Sequence, residues 1–380
     1  MKTRKQIPTV LVTAALLAQL ALPAADAPVL KPNGKPADMT KKVKVFILLG
    51  QSNMVGMGKI KGGEGSLEHA LKEKKKYPYL VDEAGNWVER QDVRFVRVMQ
   101  GRGGGGMQQF NNEWITVAKC KTIGPEFGLA HLVGDAMDAP VMILKSCIGN
   151  RSLSWDLLPP GSERFEFVIK DRAGVEKKMV YAGYKDKPES WEMDSAKGLK
   201  TEPAPWVDKS GKPIDWYAGK QYDDDISYAK KVLSELDKYY PGAQGCEVAG
   251  FFFWQGDKDR YNPVHAANYE KNLVQLIKAL RKDFDAPNAK FVVATLGQTK
   301  KDDASNANEK MILDAQLAVG DPTKHPEFKG TVASVYSNPF CHGGASNSHY
   351  GGNAETYMDI GEAMGRAMAE LIVTSGGSSK

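Results

Sequence analysis

Long apolar runs, closely spaced cysteines and basic clusters are all scarce in this 380-residue sequence, and each shortage excludes something. Beyond the first thirty residues no stretch reaches the ~20 apolar residues needed to span a bilayer, so stable membrane insertion is not expected. No basic run is interleaved with aromatics and the net charge is only +5, which argues against a nucleic-acid partner. The four cysteines, Cys120, Cys147, Cys246 and Cys341, show no CxxC spacing, and no EF-hand pattern is present, so no metal is expected. Gly101-Arg102-Gly103-Gly104-Gly105-Gly106 matches GxGxxG only as a glycine run. No amphipathic helix follows it, so it reads as a flexible loop and no nucleotide cofactor is expected.

What is present begins with a leader. Lys2, Arg4 and Lys5 precede an apolar stretch from Val10 to Leu22, followed by the small residues Ala24, Ala25 and Ala27. This is the pattern of a secretory signal over residues 1–27, too short for an anchor, and it predicts an exported protein. Its removal, with Asp26, lowers the net charge from +5 to +3. The four cysteines of an exported chain permit disulfides or buried thiols equally. Residues 28–41, with Pro28, Pro32 and Pro36, read as a linker.

From residue 42 to 373 short apolar runs alternate with helical patterns. Val43–Leu49, Pro140–Leu144, Val248–Trp254, Phe291–Leu296 and Val332–Tyr336 read as strands, with Val93–Met99 as an edge strand. Helices are expected over Pro125–Met137, Ile226–Tyr239 and Tyr269–Leu280, and along Tyr357, Ile360, Met364, Met368 and Leu371. Strands alternating with helices imply βαβ units on a mostly parallel sheet. Residues 157–222 break the rhythm with Pro, Gly and aromatics and read as a β-rich insertion. Trp191, Trp206 and Trp216 there suit either a local core or sugar stacking. The Asp223-Asp224-Asp225 run reads as a solvated helix start, and residues 374–380 as a disordered tail.

Three polar clusters fall at predicted strand ends, where open parallel sheets bind ligands. Gly50-Gln51-Ser52-Asn53-Met54 places a serine after a glycine able to turn sharply. Phe253-Trp254-Gln255-Gly256-Asp257-Lys258-Asp259 supplies an amide and two acids. Ser348-His349-Tyr350 precedes the last helix, with His342 in the same loop. A serine hydroxyl needs a base to become nucleophilic, and histidine has the suitable pKa.

These pieces, with Gly124-Pro125-Glu126-Phe127-Gly128 and Gly149-Asn150-Arg151-Ser152-Leu153 before Trp155, resemble the SGNH/GDSL hydrolases. Within that group the sequence resembles the sialate O-acetylesterase-like domain family, which also covers carbohydrate esterase family six. The resemblance implies a flavodoxin-like α/β/α sandwich on a five-stranded, mostly parallel sheet. It implies Ser52 as nucleophile, His349 as general base, and an oxyanion hole made by the Ser52 and Gly149 N–H groups and the Gln255 amide. Asn53, Trp155 and Asp259 would contact an acetylated carbohydrate, and the implied activity is acetyl removal. Two positions depart from the pattern. Asn150 stands where many members have a second glycine, and Ser346 stands where an aspartate usually precedes the histidine by three. Asp257, the nearest carboxylate at the same edge, is expected to serve as the catalytic acid, as some relatives carry a helper glutamate there; Asp259, two residues on, could substitute. The competing reading is a carbohydrate-binding protein that keeps the fold without the chemistry.

Overall fold

The computed structural model describes residues 36–101 and 105–376. The predicted leader, most of the linker, Arg102–Gly104 and the last four residues of the tail lie outside the described residues.

Seven strands form the main sheet: β1 (Val43–Gly50), β2 (Arg90–Gln100), β3 (Met107–Ile115), β4 (Val141–Ser146), β5 (Cys246–Trp254), β6 (Lys290–Ala294) and β7 (Val332–Val335). Their spatial order is β7-β6-β5-β1-β4-β2-β3, with every pairing parallel except β2 with β3. The five strands from β7 to β4 are those implied by the resemblance. The sheet is wider than that: β2 adds a sixth parallel strand and β3 pairs antiparallel with β2. Val93–Met99 is therefore an interior strand, not an edge. The true edge, Met107–Ile115, escaped the sequence pattern because its outward positions carry Gln108, Gln109, Asn111 and Asn112.

Side chains alternate across a strand, and β1 shows why the sheet must be covered on both sides. Val45, Ile47 and Leu49 enter one core, together with residues of α2 (Lys220–Ser234), α3 (Pro263–Asp283) and α4 (Ala307–Ala318). Phe46 and Leu48 enter the other, against α1 (Glu126–Ala136) and α5 (Ala354–Gly376). The result is a three-layer α/β/α sandwich. Helix α4 was not predicted, since Met311, Ile312 and Leu313 run consecutively and its apolar residues mark no single face, and α2 begins six residues before its predicted start. As a consequence Asp223–Asp225 lies inside α2, and Asp225 is buried instead of solvated.

Residues 165–192 contain a three-stranded antiparallel sheet, Phe165–Lys170, Glu176–Tyr181 and Ser190–Glu192. Trp155, Leu158, Val180, Trp191 and Ala218 form a separate small core beside it, with Trp206 and Trp216 packed against it. The four cysteines are free thiols. Among the described residues no helix is long and apolar enough to cross a membrane.

Candidate active site

The chain runs from β1 through β2 and β3 to β4 on one side of β1, then through β5, β6 and β7 on the other. The carboxyl ends of β1, β4 and β5 therefore flank a topological switch point, where such sheets bind ligands. Ser52, Gly149 and Gln255 follow those three strands.

Gly50 lets β1 end abruptly. Its φ is +148°, and a Cβ there would lie 2.3 Å from the Trp254 carbonyl oxygen, so no side chain fits. Gln51 then locks two motifs together. Its Oε1 accepts the N–H groups of Gly256 (3.2 Å) and Asp257 (3.1 Å) and the Gln255 amide (3.2 Å). Ser52 opens a single helical turn, Ser52–Val55, and keeps 8% of its surface exposed. Gly149 packs directly on it: a Cβ built at Gly149 would sit 3.4 Å from the Ser52 Cβ. Among the described residues neither the Ser52 nor the Gly149 N–H has a protein acceptor.

The turn is braced from below by Glu126, from the Gly124–Gly128 motif, and by Lys145, which sequence reading passed over. Glu126 Oε2 pairs with Lys145 Nζ at 2.6 Å, and both side chains are at least 96% buried. Lys145 also donates to the Val55 carbonyl (2.9 Å), and Glu126 Oε1 accepts the Gly124 N–H (3.1 Å). The Gly124–Gly128 motif thus supports the serine turn instead of contacting a ligand. The signal was available in Lys145, a lone cation in a strand otherwise wholly apolar up to that point. Lys145→Met should strand the Glu126 charge and cost about 3–5 kcal/mol, read as a lowered urea midpoint.

Gln255 and Asp259 occupy other places than the resemblance implies. Both are fully buried. The Gln255 Nε2 donates to the Arg151 carbonyl (2.8 Å), Asp259 (2.6 Å) and Gln51, and its Oε1 accepts the Tyr269 hydroxyl (2.9 Å). Asp259 accepts the N–H groups of Leu153 (2.8 Å) and Ser154 (2.9 Å). With its donors spent, the Gln255 amide has none left for an oxyanion. The pair is a strut that shapes the Gly149–Ser154 loop. Trp155 points into the small insertion core, edge-on to Trp206. Asn53 is fully buried and donates to the Tyr350 hydroxyl at 3.3 Å. Neither of these two faces solvent, so direct substrate contact by either has no geometric support here.

His349 lies in a tight turn after β7. Residues His349, Tyr350, Gly351 and Gly352 all take left-handed backbone angles, with φ of 53°, 53°, 61° and 73°. For the two non-glycine residues this costs on the order of 1–3 kcal/mol each. Tyr350 offsets it by burial: its ring stacks on Trp254 at 5.7 Å, and its hydroxyl donates to the Leu296 carbonyl at 2.5 Å. The Asn53–Tyr350 bond joins the neighbours of Ser52 and His349, so the serine turn and the histidine turn meet. The imidazole of His349 is half-buried and makes no hydrogen bond to another described residue. His342 is exposed in the same loop.

Asp257 is the carboxylate that meets Ser346. Asp257 Oδ1 accepts the Ser346 hydroxyl at 2.5 Å and the Arg260 Nε at 2.8 Å. Its carboxylate therefore abuts the position three residues before His349. Both bonds fall on Oδ1, which leaves Oδ2 without a donor among the described residues.

Fold and site together define a three-layer α/β/α protein with a serine after the first strand and a histidine after the last. Residues 207–369 match the family model described as carbohydrate esterase, sialic acid-specific acetylesterase. That span takes in Gln255–Asp259 and His349 and begins after Ser52 and Gly149. Comparison with curated protein sequences gives no match. Among solved structures, a protein from Arabidopsis thaliana is 13% identical, covering 86% of this chain and 98% of its own, with a TM-score of 0.45. A carbohydrate acetylesterase from Xanthomonas citri is 12% identical over 87% of this chain and 56% of its own, TM-score 0.45. NanS is 11% identical over 79% and 78%, TM-score 0.40.

Proposed function

We propose that the protein is an exported serine esterase that removes O-acetyl groups from a carbohydrate. The observation that carries this reading is the pair of unsatisfied N–H groups, on Ser52 and Gly149, beside a partly exposed serine hydroxyl at the switch point. The Ser52 Oγ attacks the acetyl carbonyl while His349 takes its proton. The developing oxyanion is held by the two backbone donors, in place of the three that the resemblance implies. Collapse breaks the bond to the sugar oxygen, which leaves as a hydroxyl with the proton that His349 took from Ser52. Water, deprotonated by the same histidine, then releases acetate and regenerates Ser52. The family match favours an acetylated sugar over a lipid ester.

A screen for acetate release over acetylated xylan, acetylated sialic acids and other acetylated glycans tests the proposal. Saturable release from at least one glycan is expected. Tight glycan binding without any acetate would leave a binding protein on this fold.

A further inference from the structure

We infer that the cavity beside the Gly149 loop is a subsite for a negatively charged substituent, carboxylate or sulfate, on the acetylated sugar. The inference rests on the esterase reading in one respect, that the subsite flanks the reacting ester.

A cavity of about 660 Å³ lies over the carboxyl ends of β2 and β4, walled by Phe110, Ile148 and Trp216 among others. Ile148 and Arg151, on either side of Gly149-Asn150, both line it, so the cavity adjoins the loop whose Gly149 packs on Ser52. Three cations, Arg97, Lys121 and Arg151, share this one cavity. None of them has a carboxylate partner among the described residues. Arg90, Arg164, Arg260 and Arg366 pair with Asp92, Asp186, Asp257 and Glu362, whereas Arg94 and Arg281, like Arg151, are held by neutral oxygens. Of the acids near this cavity, Glu113 is held by Asn111 and Glu126 by Lys145, while Asp225 feels the Arg151 charge without touching it.

Arg151 is held in place by neutral groups alone. Its Nε donates to Gln221 (2.9 Å), its terminal nitrogens to Gln100 (3.2 Å) and the Asn150 carbonyl (3.3 Å), and its plane lies 4.8 Å over the Trp216 ring. Three of the five guanidinium N–H donors are thereby used, and two remain. The Arg97 guanidinium lies 5.6 Å over the exposed Phe110 ring, and its Nε is buried with no acceptor. Like charges that share a cavity repel. An oxyanion entering the cavity relieves that repulsion and takes up the spare Arg151 donors through charge-assisted, fork-shaped bonds. A neutral sugar does not relieve the repulsion.

Binding to the full-length Ser52→Ala protein, measured by calorimetry, tests this without requiring turnover. The probes are glucuronic acid, N-acetylneuraminic acid and galactose 6-sulfate, each against its uncharged counterpart: the methyl esters of the two acids, and galactose. At least one charged probe should bind roughly 10- to 100-fold more tightly than its counterpart, the worth of one or two charge-assisted bonds. Which probe wins separates carboxylate from sulfate. The preference should collapse in Arg97→Gln and in Arg151→Gln, in samples whose melting temperature shows that they are folded. Equal binding of charged and neutral probes, no binding of any charged probe, or an undiminished preference in both variants would overturn the inference. A failure of acetate release in wild type, with the charge preference intact, would strike the esterase reading alone.

Discussion

Ser52→Ala should lower the rate of acetate release by at least about 10⁴-fold while leaving the protein folded. The structural half of this expectation rests on what the hydroxyl does in the resting state. It makes no hydrogen bond to another described residue, and the residue is not wholly enclosed. Its removal therefore leaves no partner unsatisfied, and stability should move by no more than about 0.5 kcal/mol. The catalytic half follows from covalent chemistry, since no other hydroxyl replaces it beside the Ser52 and Gly149 N–H groups. His349→Ala should lose a comparable factor, and the double variant should be little worse, because residues that act as one unit are not additive. Near-normal kcat in a pure Ser52→Ala sample would end the assignment. A crippling His342→Ala beside a mild His349→Ala would move the base to the other loop histidine.

Asp257→Asn is the second large effect, a fall in kcat of up to ~10⁴-fold, the scale seen when a triad aspartate is amidated. An imidazole acting as base becomes cationic in the transition state, and its second nitrogen needs a partner that fixes the tautomer. In the resting structure the Asp257 carboxylate is held by Ser346 and Arg260 through Oδ1 alone, so Oδ2 is left to accept from His349. Asparagine keeps the shape and loses the charge. Ser346→Ala should cost far less, since it removes only a neutral donor that steadies the carboxylate. Adding Ser346→Asp to Asp257→Asn should recover part of the loss, because it puts the acid at the usual spacing before the histidine. Asp259→Asn should act differently, by loosening the Gly149–Ser154 loop, and so lower thermal stability together with activity. If Asp257→Asn keeps wild-type kcat, the site works as a Ser52–His349 dyad.

Much of this was legible in the sequence, for identifiable reasons. A strand buried on both faces must be apolar throughout, so β1 and the end of β5 announced themselves by composition. Glycine before Ser52 was readable as a sharp turn, because few other residues tolerate that backbone. The order of serine, amide and histidine at successive strand ends placed the polar residues on one edge before any coordinates. What the sequence could not supply were contacts between segments far apart in the chain. Nothing local marks Gln51 as the clasp for Gly256 and Asp257, or Asp259 as the anchor of Leu153 and Ser154. A buried polar residue and a substrate-binding one look alike in a motif, which is why Gln255, Asn53 and Asp259 were read toward the ligand. Burial and hydrogen-bond partners separate the two, and both are properties of the assembled fold. The proposed acid shows the division most plainly. By sequence Ser346 stands where aspartate is usual, and Asp257 could be nominated only as the nearest carboxylate at that edge. Only the packing of the β5 and β7 loops brings the Asp257 carboxylate to the Ser346 hydroxyl, 89 residues away along the chain.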